Sequence, residues 1–109
     1  MPVDAPLGSF EEQVLLAVLR TREAYGMSVR REIESVTGRG VAIGAVYATL
    51  DRMEAKGLVE STRSGEGDRS RRLFGVTREG ARALAETRAM RERLWQGVDL
   101  RRVLAEGGA

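Results

Sequence analysis

The chain has 109 residues, 42% of them hydrophobic and 31% charged, with a formal net charge of +2. That is one domain, with a core large enough to fold but thin enough to gain from a partner. It has no Cys and no His, which excludes disulfides and thiolate nucleophiles and removes the commonest metal ligands and proton-transfer side chains. The carboxylates sit mainly among arginines on helical faces, where solvated ion pairs are the ordinary outcome, so no catalytic residue, metal or cofactor is expected. No apolar run approaches a membrane span, and the Met1 to Leu7 start lacks the basic and apolar segments of a secretory signal. A cytoplasmic location follows as the expectation.

Ser9 followed by Glu12 reads as a capping box, opening a helix whose stripe is Phe10, Val14, Leu15, Val18 and Leu19 and which ends near Thr21. A second helix begins around Tyr25-Gly26 or Met27, with Ser28 as its cap, Val29, Ile33 and Val36 as its stripe, and Gly38 as its stop. A third runs roughly from Ile43 to Lys56. Val46, Leu50 and Met53 form its apolar back, while Ala45, Tyr47, Ala48, Asp51 and Arg52 face outward and Thr49 is expected half-buried. Gly57 can take the left-handed conformation that ends this helix, leaving Leu58 to fold back onto it.

Beyond Gly57 the pattern changes. Residues 58–64 and 71–77 read as strands around the turn chemistry of Gly65-Glu66-Gly67-Asp68. Thr77 then caps a long helix of about 78–97, on which Leu84, Met90, Leu94 and Val98 make an imperfect seam beside Trp95. Residues 98–106 have room for one more short helix.

The resulting class is mainly α with a small β-hairpin. The order helix, helix, helix, strand, strand, helix is that of a winged helix–turn–helix in which the third helix enters the major groove. Residues 1–77 are expected to form this winged unit, with 78–109 as a C-terminal helix and tail of the same compact body. The charges support the same reading. Of the 18 cationic residues 17 are Arg, the better fork for phosphate and guanine, and the first nineteen residues carry only acids.

The motifs themselves are familiar. Phe10-Glu11-Glu12 with Val14-Leu15-Leu16, Tyr25-Gly26, the run Gly44-x-x-Tyr47-x-x-Leu50-x-Arg52-Met53-Glu54-x-x-Gly57-Leu58-Val59, and the wing exit Arg72-Leu73-Phe74-Gly75-Val76-Thr77-x-x-Gly80 occur in order. Together they resemble the PadR family of bacterial transcriptional regulators, in its short subgroup with a single C-terminal dimerisation helix. The chain departs from the family's pattern at Ala48, where Pro is common, and at Phe74, where Tyr is usual. The resemblance implies a homodimeric repressor of a pseudo-palindromic double-stranded DNA operator. It also implies release by a small aromatic or hydrophobic effector held between the winged units and the C-terminal helices.

The candidate DNA contacts are Tyr25, Arg30, Arg31, Gly44, Ala45, Tyr47, Ala48, Arg52, Arg69, Arg71 and Arg72. Gly44 and Ala45 let the helix start approach the DNA backbone, where free N–H groups suit phosphate. Tyr47 has two uses open to it: covering the junction of helices two and three, or reaching a phosphate or base edge. Arg52 can contact a base or pair with Glu54 or Asp51, and one of Arg30 and Arg31 can pair with Glu34. The wing arginines Arg69, Arg71 and Arg72 can reach phosphate or a minor groove, or remain solvated beside Glu66 and Asp68. Leu84, Met90, Leu94, Trp95 and Val98 are the candidate dimer contacts, and Phe10, Met90 and Trp95 from two chains the candidate lining of the effector pocket. The alternative is a winged-helix module that docks protein and does not bind DNA; an exposed acid, Asp51, on the front of helix three favours it.

Overall fold

A computed structural model describes residues 6–65, 67 and 71–106. Its elements are α1 (Ser9–Arg20), α2 (Gly26–Thr37), α3 (Ile43–Ala55), β1 (Val59–Ser64), β2 (Arg71–Val76), α4 (Arg78–Trp95) and α5 (Arg101–Ala105). The strands form one antiparallel hairpin in which Val59 faces Val76 and Ser64 faces Arg71. Glu66, Asp68 and Arg69 of the expected hairpin tip lie outside the described residues.

One core unites the winged unit. Val14, Leu15 and Val18 of α1, Val29 and Ile33 of α2, and Val46, Leu50 and Met53 of α3 meet Val59 and Phe74 of the hairpin and Leu84 of α4. Leu84 therefore belongs to the chain's own core and is not an exposed dimer contact. Its spacing fits the seam, but the first half of α4 lies over the winged unit and covers it. Val36 errs the other way. It keeps the period of α2 yet lies 60% exposed, one turn past the edge of the core.

The caps are built from local hydrogen bonds. Ser9 does not cap α1. Gly8 holds that position, and the Glu11 carboxylate accepts its N–H at 2.9 Å. Ser28 likewise works from inside α2, its Oγ accepting the Tyr25 N–H at 2.9 Å. At the end of α3, Gly57 takes φ 77°, and the N–H groups of Gly57 and Leu58 return to the carbonyls of Glu54 and Met53, both at 2.9 Å. This is the left-handed stop that glycine alone makes without strain, and it throws the chain directly into β1. Thr77 starts α4, its Oγ1 accepting the Gly80 N–H at 3.1 Å and donating to the Gly57 carbonyl at 2.7 Å. The turn after α3 and the start of α4 are thus one joint, which fixes the hairpin beside α3.

Candidate nucleic-acid interface

The apolar back of α3 is fully covered, while Gly44, Ala45, Tyr47, Ala48, Asp51 and Arg52 are exposed along its front. Thr49 does not share that front. It is only 3% exposed, because it lies beside the buried Leu50 and turns into the core. Ala42 precedes the helix without a side-chain cap, so no side chain of that residue occupies the first-turn N–H groups.

Tyr47 covers the junction with α2 and lines the outer surface at once. Its phenol lies directly over Gly26, where any Cβ would collide with the ring, so the close approach requires glycine. The same ring, with Tyr25, Arg63, Arg71 and Arg72, lines an open cleft of about 280 Å³ between α3 and the wing. Arg71 stacks over Tyr25 with its guanidinium carbon 4.2 Å from the ring centroid. Two aromatic rings and three guanidinium groups on one concave surface make a site for an anionic, planar or backbone-like ligand.

The other arginines divide by partner. Arg30 pairs with Glu34 at 3.4 Å, and the Glu34 pKa is lowered, first by the Val41 N–H donated to the same carboxylate and then by Arg30. Arg31 is exposed and makes no ion pair among the described residues. Arg52 pairs with neither Asp51 nor Glu54. Its Nε reaches Glu11 of α1 at 3.3 Å, and Lys56 approaches the same oxygen at 3.7 Å. The Glu11 pKa is lowered, first by the Gly8 N–H and then by Arg52 and Lys56. The next residue, Glu12, pairs with Arg91 of α4. Adjacent acids of α1 thus brace α3 and α4.

Arg72 turns inward to Asp51 and Glu54 on α3. Those two acids engage its guanidinium even as its side chain lines the cleft beside Tyr47. Asp51 is exposed, as the docking alternative expects, but it is paired with Arg72, a cation it shares with Glu54. Arg69 lies outside the described residues.

The C-terminal arm presents the opposite surface. Leu94, Trp95, Val98, Leu100, Val103 and Leu104 are all exposed, and Met90 is half-buried. Within one chain, Trp95 and Phe10 line separate clefts and Met90 lines neither. The three expected effector-pocket residues are therefore not assembled by a single copy, because Phe10 faces the α2–α3 loop while Trp95 lies at the far end of α4.

Residues 15–86 match the transcriptional regulator PadR-like family. The chain belongs to that family. It is 38% identical over 76 residues to the transcriptional regulator Rv3488 of Mycobacterium tuberculosis, covering 70% of each protein. Among solved structures it is similar to RosR of H. salinarum, with 28% identity, a TM-score of 0.66, and coverage of 93% of this chain and 88% of that one. A PadR-like transcription factor from Bacteroides fragilis shares the fold at 21% identity and a TM-score of 0.69, over 78% and 82% of the two chains. This PadR-like chain is a transcriptional regulator by family and not an enzyme, and no helix among its described residues is long and apolar enough to cross a membrane.

Several residues of this surface escaped the sequence reading. Arg63 alternates with Glu60 and Thr62 on an unremarkable polar strand, and only the fold brings it beside Tyr47. Leu100, Val103 and Leu104 carried a usable signal: they recur at helical spacing on a short segment that has no core of its own.

Proposed function

We propose that this PadR-like chain is a cytoplasmic homodimer that binds a pseudo-palindromic duplex operator and represses transcription by occluding a promoter. The observation that carries the reading is the convergence on one face of the small-residue front of α3, the rings of Tyr25 and Tyr47, and Arg71 stacked at the wing. The α3 front approaches the major groove closely because Gly44, Ala45 and Ala48 offer no bulk. Arg31 and Arg71 hold flanking phosphates, and Tyr47 sets register. With so few hydrogen-bonding side chains on α3, sequence preference arises largely from Tyr47, the wing and DNA shape.

The exposed row from Leu94 to Leu104 supports dimerisation, since so much uncovered apolar surface on a short arm favours a second copy. Two heads held by such an interface address half-sites about 34–36 Å apart or a multiple of it. A small aromatic or hydrophobic effector that packs on Trp95 across the dimer releases DNA by favouring a different spacing of the heads.

Gel shifts with the duplex upstream of the protein's own gene test this reading. The wild type is expected to bind at low salt, and Tyr47→Ala and Arg71→Ala to weaken binding. Failure of the wild type to retard that duplex, or any duplex enriched from a random library, contradicts it.

A further inference from the structure

Asp51 and Glu54 stand three residues apart on α3, and one arginine of the wing reaches both. Arg72 Nη1 donates to Asp51 Oδ1 at 2.9 Å and Nη2 to Glu54 Oε1 at 2.6 Å. The second oxygen of Glu54 accepts a hydrogen bond from Ser61 Oγ of β1 at 2.6 Å. The guanidinium carbon lies 4.8 Å from the ring centroid of Phe74, which is buried and donates its own N–H to the Ala24 carbonyl at 2.7 Å. Both strands of the hairpin are thereby fastened to one turn of α3. The floor under the arginine is tied to the residue before Tyr25.

The chemistry of this arrangement favours guanidinium. A planar fork can bridge two separate carboxylates at once, whereas an ammonium is a single point charge. Two carboxylates on a DNA-facing helix also repel phosphate unless a cation covers them. The Glu54 pKa is lowered, first by the Ser61 hydrogen bond and then by Arg72, which keeps the acid ionised for the fork. The pairs are partly exposed, so their effect on global stability is small. They act on where the wing points, together with the Gly57–Thr77 joint, by tying β2 directly to α3.

We propose that Arg72 is a positioning residue that sets the angle between wing and recognition helix, and that this angle determines sequence discrimination. The proposal rests on the DNA-binding reading above. Arg71 supplies phosphate affinity; its neighbour Arg72 supplies geometry.

The test uses the full-length chain, a duplex enriched by the wild type from a random library, and a scrambled duplex of equal composition. Two variants isolate geometry from charge: Arg72→Lys, and the charge-conserving pair Asp51→Asn with Arg72→Gln. In both, the affinity ratio of enriched to scrambled duplex is expected to fall about tenfold, the scale of a mis-set base-pair contact. The double variant should keep the wild-type slope of log affinity against log salt, whereas Arg71→Ala should flatten that slope by about one. Amide exchange in residues 59–64 and 71–76 of the DNA-free protein should accelerate, with α1 and α2 unchanged. A preserved affinity ratio in Arg72→Lys, or a slope flattened by about one in the double variant, overturns the proposal and makes Arg72 a phosphate ligand. Global loss of structure in Arg72→Lys also overturns it, since the residue would then serve folding. A wild type that enriches no duplex instead removes the DNA-binding reading, and the positioning role with it.

Discussion

On the back of α3, Val46, Leu50 and Met53 are wholly covered, and the helix's charged side chains Asp51, Arg52 and Glu54 are paired within the chain. Beyond Arg91 of α4 the apolar side chains instead stand in solvent: Leu94 is 70% exposed, Trp95 57% and Leu104 64%. The same chain thus carries a head with a buried core and an arm without one. In the head a core is already buried, so the exposed groups of the α3 face are available for a ligand. In the arm, exposed groups have burial still to gain, and the hydrophobic effect directs them to another protein surface.

The sharpest separation of the two regions comes from truncating one apolar side chain in each. Leu50→Ala should destabilise the fold by about 2–5 kcal/mol in urea unfolding, because it empties a wholly buried site. Trp95→Ala should leave the far-UV spectrum intact and weaken self-association by about 2 kcal/mol, roughly thirtyfold in Kd, by sedimentation. Equal effects of the two substitutions on the monomer's stability would erase the distinction between head and arm.

What could be read without the fold is what depends on a few consecutive residues. The Gly57-Leu58 stop and the Thr77 cap are local hydrogen-bond devices, and both occur where the sequence implies them. The choice between Glu11 and Glu12 as helix cap is different. Both lie in the first turn; Glu11 takes the cap because the helix opens at Gly8, one residue before Ser9. The arginines each acid pairs with, Arg52 and Arg91, arrive from 41 and 79 residues away. Arg71 and Arg72 pose the same problem on a strand. Adjacent arginines look alike in sequence, and only the hairpin's placement against α3 sends one to Tyr25 and the other to Asp51 and Glu54. Leu84 and Val36 follow the correct helical period, but period alone does not say where the core ends.

Two smaller perturbations sharpen the account of the head. Gly26→Ala places a methyl group where the Tyr47 phenol lies. The ring can swing away, so thermal stability should change little, whereas affinity for an enriched duplex should fall about tenfold, the scale of losing one specific contact. Unchanged affinity in that variant would mean that the resting place of Tyr47 is irrelevant to binding. Glu11→Gln should cost at most about 1 kcal/mol at neutral pH, as expected for partly exposed pairs. Its pKa is held below the ordinary glutamate value, so its contribution is present above that value and is lost as pH falls through the lowered folded pKa. The wild type should therefore lose more stability than Glu11→Gln on acidification, and parallel pH–stability curves would count against the brace.

The central claim is that the face formed by α3, Tyr25, Tyr47 and Arg71 binds DNA phosphate and groove. A fluorescence-anisotropy titration of wild-type protein with its enriched duplex, repeated between about 50 and 200 mM salt, tests it most directly. The account predicts a steep linear fall of log affinity with log salt, made shallower by Arg31→Ala and by Arg71→Ala. An affinity independent of salt, or a slope that neither substitution alters, would contradict it.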